Sequence, residues 1–374
     1  MQTMKVALLT FHNALNYGAA MQVYASQQAM KDIGVECKII DYVNEYREDI
    51  YDLNSHAKKE LKKKNLPMTL KYYMGSLFMR VRRQKFLKFY NEHLQCTSIR
   101  FTSSKEAEIL NSEFDKFIVG SDQVWNYKNN GNDFTYFLDF VHDDSKKIAY
   151  SSSFGLATIP EDLKNKYMEN LKQIKYLSTR ERYGIQLIKD LTGREAELVL
   201  DPVFLLKKER WLSLCRNTYR KKRYVFCYTN RPFQWRDFLT QTKFSTEGFK
   251  IHKLTRHLTI KDFIDPKVKM SYSISPVEFI ETIANAELVV SASFHCIAMS
   301  IILNTPFVAI LTGDQGKDER ILNILKITGL ENRILNKSMK HFDVNRSINF
   351  EIVDKRISKY IDSSIAFLKN AICS

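Results

Sequence analysis

Short apolar runs alternate along this chain with longer stretches in which apolar side chains recur every three or four positions. The runs VALLT (6–10), CKIIDY (37–42), KFIVG (116–120), KIAYSSS (147–153), YLST (176–179) and ELVLD (197–201) read as strands. Between them, 19–33, 161–173 and 181–191 carry helical spacing. A charged stretch, LKKERWLSLCRNTYRKKR (206–223), interrupts the pattern. It then resumes with strands YVFCYT (224–229), FKIHKL (249–254), ELVVSAS (287–293) and PFVAIL (306–311). Helices are predicted from 275, over 295–303 and over 350–368. In SPVE, Ser275 is a candidate cap, Pro276 occupies the first helical position and Glu278 completes a capping box. The alternation predicts α/β units around largely parallel sheets, in two Rossmann-like domains facing a cleft. Residues 1–206 form the first domain, with a basic helical insertion at 57–92; residues 207–349 form the second; 350–374 form a final helix able to pack back on the first.

Composition narrows the function classes. No apolar run is long enough to span a bilayer, since Val289 to Leu311 is broken by Ser291, Ser293, His295, Asn304 and Pro306. The opening MQTMKVALLTF lacks a cleavage site and runs straight into His12, Asn13 and Asn16, so a cytoplasmic protein is expected. Six scattered cysteines show neither disulfide nor metal-ligand spacing, and no metal is predicted. A net charge of +15 favours an anionic partner. Much of that charge lies in 58–88, interleaved with Tyr72, Tyr73, Leu77, Phe78, Phe86 and Phe89. Such a segment is either a solvated helical face or a peripheral contact with an anionic membrane. Nucleic acid is not expected, because no recognition motif accompanies the charge.

Ligands of such folds bind at the carboxyl ends of strands, so candidate residues are those that follow the apolar runs. After the first strand come Asn16, Tyr17 and Gly18, opening a helix: either a ligand-approach turn or a capped strand-to-helix turn. In FIVGSDQVWN, Ser121, Asp122, Gln123 and Asn126 surround Trp125, a grouping that suits a sugar's hydroxyls and apolar face, or else a capped loop over a core indole. In LSTRERYG, Arg180 and Arg182 offer planar forks for carboxylate or phosphate, the alternative being a salt bridge to Glu181 or Glu195. Asp201 ends a buried run and can orient a ligand or form a turn. In ELVVSASFHCIAMS, His295 stands between a strand and a helix, where an imidazole can exchange a proton with a ligand or serve structure.

NYGAAMQVYA, FDKFIVGSDQVWN, YFLDFV, KKIAYSSSFG, LSTRERYG, LVLDPVFLL, SFHCIAMSIILNTPFVAI and DERILNILKITGLENRI occur in an order that resembles the polysaccharide pyruvyl transferase family, over roughly residues 5–335. The resemblance implies a fold similar to GT-B glycosyltransferases, phosphoenolpyruvate as donor and co-substrate with no other cofactor, and a saccharide acceptor, lipid-linked or polymeric. It places the acid/base on His295 and a donor contact on Arg180. Many members carry Arg-Leu-His where this chain has Ser293-Phe294-His295, so Arg182, Lys317 or Arg320 is expected to replace the missing cation. Protonation of the enolpyruvyl methylene, attack by a sugar hydroxyl and loss of phosphate give a ketal. Asn16, Tyr17, Gly18, Ser121, Asp122, Gln123, Trp125 and Asn126 are expected on the acceptor side, in the first domain, and the donor in the second. The alternatives are a GT-B glycosyltransferase using a nucleotide sugar and a non-catalytic anion-binding protein. Acceptor sugar, ketal positions and oligomeric state are not encoded in these motifs.

Overall fold

The computed structural model describes residues 3–215, 223–229, 238–239, 242, 244, 247–254, 266–335 and 343–374, without the side chains of 315 and 317. It divides into two compact units, Met1–Leu205 with Ser363–Ser374, and Leu206–Asp362.

The first unit holds strands β1 (Lys5–Leu9), β2 (Glu36–Tyr42), β3 (Cys96–Phe101), β4 (Lys116–Val119), β5 (Lys147–Ser152), β6 (Tyr176–Thr179) and β7 (Glu197–Leu198). They form one parallel sheet in the order β3-β2-β1-β4-β5-β6-β7. Each connection is a crossover, and β4 and β5 are buried at every position, as a sheet covered on both faces requires. Helix α1 (Tyr17–Asp32) follows β1; α2 (Glu45–Tyr51), α3 (Leu53–Lys62) and α4 (Leu66–His93) lie between β2 and β3. The order reverses between β1 and β4, which makes their carboxyl ends the switch point of the sheet.

The second unit repeats the plan with β8 (Tyr224–Tyr228), β9 (Lys250–Leu254), β10 (Val268–Ser271), β11 (Leu288–Ser291), β12 (Phe307–Ile310) and β13 (Ile334–Leu335), ordered β10-β9-β8-β11-β12-β13 and parallel throughout. Its switch point falls between β8 and β11. Helix Pro276–Ala284 starts with the expected capping box: Ser275 Oγ accepts from Glu278 N at 3.0 Å, and Glu278 Oε2 accepts from Ser275 N at 2.6 Å. The last helix, Phe350–Cys373, is divided between the units. From Ser363 onward it belongs to the first unit, where Ser364 Oγ accepts from Leu200 N at 2.9 Å.

Three strands differ from the sequence reading. β3 was not expected, because CTSIRF is exposed for half its length at the edge of the sheet. β10 and β13 are likewise short strands with weak apolar signal. The run ELVLD leaves the ladder after Leu198, and its end turns Asp201 into a buried polar cluster.

Candidate functional site

In the first unit the carboxyl ends of β4, β5 and β6 converge on hydroxyl and carboxylate groups that are nearly all buried. Ser121 Oγ donates to Ser151 O at 3.1 Å, Ser152 Oγ to Val119 O at 2.9 Å, and Ser178 Oγ to Ala149 O at 2.8 Å. Ser153 Oγ donates to Glu181 Oε1 at 2.5 Å. These serines satisfy each other's backbone in an interior where an unpaired polar group is costly, so hydrogen bonds fix the strand ends together with the apolar packing of Val119, Ala149 and Leu177. The turn after β4 needs glycine: Gly120 has φ +116°, and a Cβ there would stand 2.2 Å from the Tyr150 carbonyl oxygen.

Arg180, 4 % exposed, occupies the centre of this cluster. Its guanidinium is bonded to Asp201, lies 3.1 Å from Asp122 Oδ1 and places Nε 3.8 Å from Glu181 Oε2. Burial pushes the Arg180 pKa down, but the three carboxylates outweigh it and hold the guanidinium above its ordinary value. One cation facing three carboxylates is a poor receptor for a further anion. The geometry makes Arg180 the group that positions Ser121, Asp122 and Asp201, where the sequence reading expected a contact to an anionic donor. Arg182 is exposed at the first position of helix Arg182–Thr192.

The residues expected around a sugar separate into two sets. Asn16 is exposed and caps α1, accepting from Gly18 N at 2.8 Å and Ala19 N at 3.3 Å, so the open helix end that could have drawn an anion is already satisfied. Asp122 and Gln123 are partly exposed, whereas Tyr17, Gly18, Ser121 and Asn126 are buried. Trp125 is fully buried, stacks on Phe137 with centroids 5.5 Å apart and donates its indole N–H to Tyr136 O at 3.0 Å. The expected stacking face is therefore a core side chain, because both surfaces of the indole are needed to fill the space beside Phe137 and Phe154.

A pair that sequence reasoning passed over stands at the switch point of the same sheet. His12, 5 % exposed, follows β1, and its Nε2 lies 3.1 Å from Oδ1 of Asp41 near the end of β2. Burial raises the Asp41 pKa, but His12 and Arg100, the latter 3.0 Å from Oδ2, overcome this and hold the carboxyl below its ordinary value. An ionised carboxylate only accepts, so Nε2 is the donor of this pair. Among the described residues the His12 Nδ1 has no hydrogen-bond partner. The available signal was a histidine directly after a buried strand; its partner is 29 residues away.

In the second unit, His295 is the second residue of helix Phe294–Ile302, immediately beyond β11 at the switch point, and is 7 % exposed. The preceding Ser293 gives no side-chain cap to this helix; its own N–H donates to Ser291 Oγ at 3.0 Å. The side-chain cap usual at a helix start is therefore not supplied by Ser293. Phe294 packs edge-on against the His295 ring at 5.0 Å between centroids, and the Arg320 guanidinium lies 5.6 Å from the Phe294 centroid. Asp318 accepts from Thr312 N at 2.9 Å and Gly313 N at 2.7 Å, which shapes the loop after β12. The side chain of Lys317 lies outside the described residues.

Two parallel sheets of Rossmann order define an α/β protein of GT-B architecture. Solved structures share that plan at low identity. A Listeria monocytogenes protein described as a UDP-N-acetylglucosamine 2-epimerase is 8 % identical, with 98 % of this chain and 91 % of that one covered and a TM-score of 0.52. UDP-N-acetylglucosamine 2-epimerase from Rickettsia bellii is 12 % identical over 98 % of both chains (TM-score 0.47). The spinosyn rhamnosyltransferase SpnG is 9 % identical, covering 99 % and 96 % (TM-score 0.42). Such identities concern the fold alone. No curated protein sequence matches the chain. The family model for polysaccharide pyruvyl transferases matches residues 16–314, and the chain belongs to that family of transferases.

Proposed function

We propose that this protein transfers the enolpyruvyl group of phosphoenolpyruvate to a saccharide hydroxyl, closing a pyruvate ketal on a surface polysaccharide or its lipid-linked precursor in the cytoplasm. The family match across 16–314 carries the reading, and the placement of His295 supports it. In this reading the donor sits in the second unit. Arg320 and the first turn of helix Phe294–Ile302 attract its carboxylate and phosphate, and His295 protonates the methylene carbon. The proton added at carbon leaves an oxocarbenium-like centre; an acceptor hydroxyl bonds to it, phosphate departs with its electron pair, and a second hydroxyl closes the ring. Asn16, Asp122 and Gln123 of the first unit hold acceptor hydroxyls; of the two hydroxyl protons released, one restores His295 and the other leaves with phosphate.

The test is calorimetric titration of phosphoenolpyruvate, with a panel of nucleotide sugars as control, into the wild type, Arg320→Ala and His295→Ala, together with phosphate release in the presence of saccharide. Donor binding lost in Arg320→Ala but kept in His295→Ala, with turnover in the latter down by about 10²–10⁴, is the expected result. Indifference to phosphoenolpyruvate with binding of a nucleotide sugar would overturn it.

A further inference from the structure

The amino-terminal half of α4 is inverted relative to a helix packed on a core. Its inward positions are Thr69, Ser76 and Arg82, all buried, while Leu66, Leu70, Tyr73, Met74, Leu77, Phe78 and Val81 are exposed. Arg82 turns back over the rings of Tyr17 and Phe86, 4.6 and 5.4 Å from their centroids. The last turns anchor the helix through Phe86, Phe89 and Tyr90, with Tyr90 Oη donating to Ala14 O at 2.6 Å, while its earlier turns pack on α3. At 100° per residue the exposed set falls in an arc of about 140°, a continuous apolar stripe over about 23 Å of helix. Leu70 and Leu77 are 62 % and 61 % exposed. An open groove of about 500 Å³ beside the stripe is walled by Tyr73, Met74 and Leu77, with Lys58 and Arg80 on its lining.

Charge identifies what covers this face. Residues 58–88 hold eleven Lys and Arg against the single acid Glu60, a local balance of +10 within a chain of +15. Lys58, Lys62, Lys64, Lys71 and Arg80 are exposed on this segment, and Lys59, Lys63, Arg83 and Lys88 are exposed but paired with Asp49, Glu60, Glu48 and Glu92. A second copy of the same face would bring two such charges together, and nucleic acid would leave the apolar side chains in water. A bilayer surface bearing anionic head groups satisfies both features, apolar side chains entering the interface and cations meeting phosphates.

We propose that the outward face of α3 and the amino-terminal half of α4 docks on an anionic lipid bilayer, the Leu66–Val81 stripe lying in the plane of the head-group boundary. The proposal does not rest on the transfer reaction. Flotation of the full chain with vesicles of roughly one-third phosphatidylglycerol in phosphatidylcholine, and with phosphatidylcholine alone, tests it at low and high salt. The wild type should float with the anionic vesicles, while Leu70→Glu/Leu77→Glu and Lys62→Glu/Lys63→Glu/Lys64→Glu each lower partitioning about tenfold or more. All five side chains are exposed, so circular dichroism of both variants should match the wild type. A wild type left behind by anionic vesicles at low salt overturns the proposal. So does a leucine variant that floats as well as the wild type. A wild-type dimer that the leucine variant dissociates, with no flotation by either, would assign the face to a second copy instead. Phosphoenolpyruvate titration of the leucine variant separates the two ideas, because docking can fail while donor binding stands, and the reverse.

Discussion

Replacing Arg180 by methionine should cost more stability than replacing Asp201, its bonded partner, by asparagine. Both side chains are interior, at 2 % and 0 % exposure, so the effects of a buried pair apply without discount for solvent screening. Arg180→Met leaves Asp201, Asp122 and Glu181 facing one another without the guanidinium between them, and removing one side of a buried pair costs about 3–5 kcal/mol. Asp201→Asn keeps the shape and a hydrogen-bond acceptor, and leaves Arg180 between Asp122 at 3.1 Å and Glu181 at 3.8 Å; a loss of about 1–3 kcal/mol follows. For a unit of this size about 1 kcal/mol moves Tm by about 2–4 °C, so the two variants should fall by about 12 °C and about 6 °C. Thermal unfolding followed by circular dichroism at neutral pH reads both. An equal loss, or a larger one in Asp201→Asn, would refute the idea that one guanidinium offsets three carboxylates here.

Gly120→Ala should destabilise the first unit by about 3 kcal/mol or more, because the added methyl meets backbone at Tyr150 rather than a movable side chain; denaturant titration measures it. Asp41→Asn tests the His12 pair through pH. A carboxyl held below its ordinary value contributes stability above its unfolded pKa of about 4, and that contribution is lost as pH falls through the lower folded value. The part of the stability gap between wild type and Asp41→Asn that comes from the Asp41 carboxylate should therefore be lost as the pH falls below about 4. Arg333, 1 % exposed and with its pKa pushed down to about 10 by burial, donates to Phe307 O at 2.7 Å and Arg346 O at 3.0 Å. Arg333→Met should lower the unfolding midpoint by the equivalent of about 3 kcal/mol, since those carbonyls lose a charged donor.

What could be read from sequence follows the range of the interactions involved. Strand 176–179 and helix 161–173 coincide with the predicted spans, and the capping box at Ser275 is present in full, because local patterning and nearest-neighbour hydrogen bonds decide these elements. The α/β class with parallel sheets was legible for the same reason. The edge strand 96–101 was not, since an edge exposes polar side chains and breaks the pattern of buried runs. Trp125 shows the limit for single residues: polar neighbours around an indole look alike whether the ring meets a sugar or fills a core. Arg180 has one carboxylate adjacent in the chain, but Asp122 and Asp201 arrive from 58 and 21 residues away through the pairing of β4, β5 and β6. His12 and Asp41 meet only because β1 pairs with β2.

On the proposed reaction, those long-range arrangements also bear on which unit takes which substrate. The strand ends of the first unit gather Asp122, Glu181, Asp201 and Asp41, partnered by Arg180, His12 and Arg100. A donor carrying both carboxylate and phosphate would enter that field against repulsion, in an environment where screening is weak. Sugar hydroxyls carry no charge and donate hydrogen bonds, so the same carboxylates suit them. At the second switch point the groups are His295, Phe294, Arg320 and a helix start that Ser293 does not cap, while Asp318 holds Thr312 and Gly313. The helix start adds partial positive charge there. On the proposed reaction, Arg320, which lies over the Phe294 ring from the following helix, and the helix start meet the donor's charge. Arg320→Ala should consequently weaken donor binding more than Arg182→Ala, whose side chain lies on the other unit.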